Sequence, residues 1–151
     1  MESTTLKPGE PVIQFSVLLK NRAGALAALT KLLRNNNIEI VGISVQDSRD
    51  ATVARLVLTD PDLAEQIFIE KGIPHTTCNL VVVSFPEAGP GLLQVLDTLM
   101  VGETNIDFAY ALMPNPKSQP MLAMHVEDYD FAISILNKAG FKLIYQADVS
   151  R

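Results

Sequence analysis

The residues best suited by type and spacing to do chemistry in this chain lie in one stretch, Lys20-Asn21-Arg22-Ala23-Gly24-Ala25-Leu26. It joins an apolar run, Val12-Ile13-Gln14-Phe15-Ser16-Val17-Leu18-Leu19, to the helical spacing of Leu26, Leu29 and Leu33. A loop with glycine that leads into a helix presents backbone N–H groups with no partner inside the helix. Those groups, with the positive end of the helix dipole, suit a carboxylate or a similar anion. Asn21 and Asn37 carry both donors and acceptors, which suits a zwitterion with an ammonium and a carboxylate. A second stretch has the same character: Pro86-Glu87-Ala88-Gly89-Pro90-Gly91-Leu92-Leu93, with Asn105-Ile106 echoing Asn37-Ile38. Each of these residues also has a local reading, in which the glycines serve tight turns and the asparagines end helices. The chemistry on offer is that of binding.

Other side chains offer less. Arg22 could neutralise a ligand carboxylate or simply be a solvated loop arginine, and Lys20 reads as surface. His75 and His125 sit in strand-like segments without a partner at metal-binding spacing. Cys78 has no CxxC partner and reads as a buried, inert thiol. Asp47, Asp50, Asp60 and Asp62 are turn and cap residues, and Glu127, Asp128 and Asp130 lack the spacing of a calcium loop. There is no nucleotide-binding glycine loop and no credible catalytic triad. An acylphosphatase-like hydrolase would need an arginine in a phosphate-cradling loop with a nearby asparagine. Arg22 and Asn37 imitate that pair, but the loop lacks the required glycines.

The elements that must hold the two stretches are short and regular. Val12 to Leu19 reads as a strand, and from Gly24 the period becomes helical until Asn35-Asn36-Asn37. Ile38 to Gln46 reads as a strand with a bulge at Gly42, and Ala51 to Leu58 as its hairpin partner. Asp60 caps a helix with Pro61 at its first position, which Gly72 stops. His75 to Phe85 is extended. The order then recurs: a helix from Gly91 to Val101, a strand from Asn105 through Leu112, and a strand from Met121 to Val126. Asp128 caps the next helix, Gly140 ends it, and Phe141 to Val149 reads as the final strand.

The recurrence has a fixed period. Asn37 and Asn105, Asp60 and Asp128, Ala64 and Ala132, and Gly72 and Gly140 all stand 68 residues apart, while Gly24 and Gly91 stand 67 apart. The chain is therefore α+β: two ferredoxin-like βαββαβ units in tandem, antiparallel sheets with helices on one face. Residues 1–10 form a flexible lead-in, 11–78 the first unit and 79–151 the second. Strands apolar on nearly every residue want cover on both faces, so the units are expected to pair and the chain to form a homodimer.

Composition closes off whole classes. A net charge of -5 over 151 residues disfavours nucleic acid or an anionic membrane as partner. RNA binding on such a sheet would also need exposed aromatics. The longest apolar runs fall far short of the ~20 residues of a membrane helix. The single cysteine cannot form an intrachain disulfide, and the N-terminus lacks a secretory pattern. The location expected is cytoplasmic.

A ferredoxin-like unit whose first strand runs into Asn21-Arg22-Ala23-Gly24-Ala25-Leu26, followed by Asn37-Ile38, resembles the ACT domain. That family's loop is commonly Asp or Asn, any residue, Pro, Gly, any residue, Leu. Asn21, Gly24 and Leu26 fit it, with Ala23 in place of proline. In the second copy Pro90, Gly91 and Leu93 fit, while Ala88 stands at the acidic or amide position with Glu87 before it. The resemblance covers residues 11–150 as two units in tandem and leaves no catalytic domain over. It implies a non-enzymatic regulatory protein that binds a small molecule, usually an amino acid, with no cofactor. The ligand would sit where units meet, touching Asn21, Arg22, Ala23, Gly24, Ala25, Leu26, Asn37 and Ile38, and in the other copy Ala88, Gly89, Gly91, Leu92, Asn105 and Ile106. A separate enzyme of amino-acid biosynthesis is the partner that the resemblance suggests.

Overall fold

Residues 9–20, 23–86, 89–113 and 117–150 are described by the computed structural model. The first unit begins with β1 (Val12–Lys20), where Phe15 and Val17 alternate with Gln14 and Ser16 and so face opposite sides of the sheet. α1 (Ala25–Asn35) follows, then β2 (Ile40–Asp47), β3 (Ala51–Leu58), α2 (Pro61–Glu70) and the first residues of β4 (His75–Ser84). β3 lies antiparallel between β1 and β2, and β4 flanks β1 on its other side. Phe15, Val17, Leu29, Leu33, Leu56, Leu58, Ala64 and Phe68 form one buried cluster, so both helices cover the same sheet face. Leu33 is fully buried there.

The second unit repeats the plan with β4, α3 (Leu92–Val101), β5 (Ile106–Leu112), β6 (Met121–Val126), α4 (Tyr129–Lys138) and β7 (Lys142–Ile144). Its strands run β7-β4-β6-β5, all antiparallel. Val81, Val83, Val95, Leu99, Met124, Ala132 and Leu136 make its core. The chain divides into Ile13–Cys78 and a unit of Asn79–Arg151 with the N-terminal residues as far as Val12. That boundary falls inside β4. Gln146 donates its backbone N–H to the Glu10 carbonyl at 3.0 Å, which ties residue 10 into the second unit.

The punctuation read from sequence operates as chemistry. Asp60 accepts from the Leu63 N–H at 3.1 Å, and Asp128 from the Phe131 N–H at 3.1 Å, each at a helix start. Gly72 and Gly140 end α2 and α4 at φ 66 and 89. A bulge lies between Ile40 and Gly42, with a second between Ile106 and Phe108.

Four readings need correction. Ile38 lies in the connection between α1 and β2 and not in β2: its N–H bonds back to the Leu33 carbonyl at 3.0 Å. The final strand stops at Ile144 and gives way to a short helix, α5 (Gln146–Val149), whose start is fixed by the Asp148 carboxylate accepting the Tyr145 N–H. Apolar character on the helix-free face is broken by polar residues at different points: Gln14, Ser16, Ser44 and Arg55 sit there beside Val12, Leu18 and Val57 in the first unit, and Ser84 and His125 beside Leu80, Val82, Tyr110 and Ala123 in the second. Finally, the match of Asn37 to Asn105 is a coincidence of spacing. Asn37, at φ 58 with its N–H on the Arg34 carbonyl, corresponds to Glu103, at φ 53 with its N–H on the Met100 carbonyl. Asn105 corresponds to Glu39, since each carbonyl accepts from the residue after the paired strand, Glu127 and Thr59 respectively. The offset is 66 residues through β2 and becomes 68 at β3, because a net two residues are inserted between equivalent register positions of the second hairpin.

Candidate functional site

In the first unit the loop after β1 turns on Gly24, at φ 88 and ψ -11. Its carbonyl accepts the first helical bond, from the Ala28 N–H at 2.9 Å, and no side chain among the described residues caps the helix. The N–H groups of Ala25, Leu26 and Ala27 therefore form an uncapped, electropositive helix end. Ala23 and Gly24 are exposed, Ala25 and Leu26 half-buried. Beside them lies an open, mainly apolar cavity of about 270 Å³ between β1, α1 and the turn after α2, lined among others by Leu18, Lys20, Ala25, Leu29, Ile73 and Pro74. The Leu18 N–H to Pro74 carbonyl bond, 3.1 Å, fixes one wall. Asn21 and Arg22 lie outside the described residues.

The second copy is built differently. Gly91 is extended, at φ -104 and ψ -166, and donates its N–H to Gln94 Oε1 at 2.9 Å. A side chain of α3 thus folds back onto the N-cap residue, while the first N–H groups of α3 itself have no side-chain cap among the described residues. Gly89 serves a tight turn: its N–H reaches the Pro86 carbonyl at 2.9 Å, and an added Cβ would stand 2.5 Å from Pro86 Cγ. Leu92 points outward, half exposed. Ala88 falls outside the described residues.

Loop and asparagine do not meet within a unit. Gly24 and Asn37 stand at opposite ends of α1, an 11-residue helix about 16 Å long. Gly91 and Asn105 are separated by α3 in the same way. Asn105 Nδ2 donates to Glu127 Oε2 at 3.1 Å, and with Ile106, Leu96 and Met100 it borders an open hollow of about 570 Å³. A neighbouring hollow of about 540 Å³ is acidic, lined by Glu103, Glu127, Asp128 and Asp130 with Tyr129. Burial pushes the Tyr129 phenol up to about 12, with smaller contributions from Tyr145 and Asp130.

The remaining candidates have structural partners. His75 packs on Phe15 and Phe68, with Nδ1 2.9 Å from the Ile73 carbonyl. Burial raises the Cys78 thiol pKa, against a smaller opposing effect from Arg55, and Gln14 Nε2 donates to its sulfur at 3.4 Å. His125 Nδ1 lies 2.7 Å from Asp107 Oδ2, its ring stacked on Phe108 at 5.2 Å. No group of three His, Cys, Asp or Glu gathers among the described residues. Sequence reasoning passed over Gln94, which was findable, as a glutamine three positions past a helix-starting glycine resembles a capping pattern. Lys20, read as surface, is exposed and also borders the cavity, a place that depends on the turn after α2.

Comparison with known proteins agrees with the topology. Residues 11–141 match the family described as the ACT domain pair. Among solved structures, a protein from Bacteroides thetaiotaomicron superposes with a TM-score of 0.84 at 22% identity, covering 93% of this chain and 96% of its own. The ligand-free regulatory subunit of aspartate kinase from Thermus thermophilus gives a TM-score of 0.58 at 13% identity, covering 89% and 96%. Its counterpart from Thermus flavus gives 0.51 at 16%, covering 84% and 91%. At these identities the likeness concerns the fold. No functionally curated protein matches. With two ferredoxin-like units in sequence and a family match across most of its length, the chain belongs to the ACT domain pair family.

Proposed function

We propose that this protein is a non-enzymatic regulator that binds an amino acid or a similar small zwitterion, with the ligand carboxylate on the β1–α1 loop of the first unit. The observation that carries the reading is the contrast between the two loops. Gly24, at φ 88, starts α1 beside a cavity with no side-chain cap among the described residues, whereas Gly91 is extended and its own N–H is taken by Gln94 Oε1, a side chain folded back onto the second loop. A carboxylate would accept the free N–H groups of α1, and the apolar wall of Leu18, Leu29 and Ile73 would take a side chain. About 270 Å³ lies at the small end of ligand pockets, which suits an amino acid better than a nucleotide. The proposal includes a cytoplasmic location and a regulated partner, an enzyme of amino-acid metabolism on a separate chain. Among the described residues no helix is long and apolar enough to cross a membrane.

A thermal-shift panel of the standard amino acids tests this. A ligand at 100 times its Kd adds about 2.7 kcal/mol of stability. Gly24→Asp places a competing carboxylate on the helix end in open space and is expected to abolish the shift without unfolding the chain. The proposal fails when no amino acid raises the melting temperature, or when Gly24→Asp responds like the unaltered protein.

A further inference from the structure

The cavity beside Gly24 owes its apolar wall to a few side chains that the fold does not demand. α1 turns Ala25, Ala28, Leu29 and Leu32 toward it, at the i, i+3, i+4 and i+7 spacing of one helix face. Leu18 from β1 joins them, with Ile73 and Pro74 from the turn after α2. Among the described lining residues Lys20 alone carries a charge, and it is exposed. Two carbonyls of the wall already have partners: that of Pro74 accepts the Leu18 N–H at 3.1 Å, and that of Ile73 lies 2.9 Å from His75 Nδ1. The second unit is built on the same plan with other residues. Pairing buried Leu29 with Val95 and Leu33 with Leu99 matches Ala28 and Leu32 to Gln94 and Thr98. Pairing Gly72 with Gly140, which end α2 and α4, matches Pro74 to Lys142. Three apolar positions of the first unit are thus polar or charged in its duplicate.

Building on the ligand carboxylate proposed at the Gly24 end of α1, we propose that the cavity selects an amino acid with a large aliphatic side chain and rejects polar and charged ones. Leu18, Leu29, Leu32 and Ile73 remove such a side chain's apolar area from water. A hydroxyl or amide in the same place loses water and finds no uncharged polar side chain among the described lining residues, which costs affinity. A cationic side chain fares worse. No Asp or Glu lines the cavity among the described residues, and Lys20 repels it. An acidic side chain gains little from Lys20, whose exposed ammonium offers only a solvent-screened pair. Leu32 is therefore a specificity-determining residue, whereas Lys20 favours the carboxylate of every amino acid alike.

Isothermal titration calorimetry of the full chain with leucine, alanine, asparagine and lysine tests the inference. Leucine is expected to bind at least about tenfold tighter than alanine, which lacks the apolar area, and than asparagine, which nearly matches its shape. Lysine should bind more weakly still. Leu32 stands about 10 Å along α1 from its start, clear of the carboxylate. Leu32→Glu, its fold checked by far-UV circular dichroism, should lower leucine affinity at least about tenfold and raise that for lysine. The ranking on the unaltered protein needs no variant. Asparagine or lysine bound as tightly as leucine overturns the selection by the wall; where Gly24→Asp abolishes that binding, the carboxylate site stands without it. Leucine binding that a folded Leu32→Glu leaves unchanged overturns the selection as well. No binding by any amino acid overturns both the selection and the site.

Discussion

At φ 88, Gly24 holds a conformation that costs an L-residue about 1 kcal/mol, while the space its Cβ would fill is open. Gly24→Ala is therefore expected to lower stability by about 1 kcal/mol through backbone strain alone, read from the urea midpoint. Gly91 sits in extended backbone, and its Cβ would meet only Gln94 Oε1 at 3.4 Å. Gly91→Ala should thus stay within about 0.5 kcal/mol of the parent. Tyr129 supplies a pH signature. A phenol pushed up to about 12 keeps its proton in the folded chain after the unfolded chain has lost it at 10.0. Its contribution is complete below pH 10 and disappears as pH rises to about 12. Unfolding measured at pH 9 and again near pH 12 should show a smaller loss of stability for Tyr129→Phe than for the parent. The residue types at the site were legible in sequence, since glycine before a helix announces itself. The difference between Gly24 and Gly91 was not, because it resides in φ, which the letter G does not specify.

Helix caps and stops were the most readable elements, because each depends on contacts within a few residues. Asp60 with Leu63 and Asp128 with Phe131 needed nothing beyond their own turns. α5 escaped because its place depends on Gln146 meeting Glu10 from the other end of the chain. The spacing of 68 between Asn37 and Asn105 misled because it is the true offset only after a net two-residue insertion in the second hairpin, and both asparagines stand before it. The outward leucines of α3 followed helical spacing and read as core, yet periodicity cannot tell a face that meets its own sheet from one that waits for a partner. In α1 the buried stripe is unambiguous. Leu33→Ala should cost about 2–5 kcal/mol in the denaturation free energy, while Thr30→Ala on the exposed face should move it by less than about 0.5 kcal/mol.

At the scale of the whole molecule, duplication supplied two versions of one unit that then diverged. In the first unit Gly24 starts the helix at φ 88 beside a cavity; in the second Gln94 folds back onto Gly91 and the helix turns apolar side chains outward. That difference is the basis for proposing the ligand site in the first unit. The central claim is the ligand carboxylate on the helix end beside Gly24. Backbone amide NMR during titration with the amino acid that stabilises the protein tests it most directly. The account predicts that the Ala25, Leu26 and Ala27 amides shift and saturate together while those of Leu92, Leu93 and Gln94 stay in place. Shifts confined to the second unit, or saturation that leaves the Ala25–Ala27 amides unmoved, would contradict it.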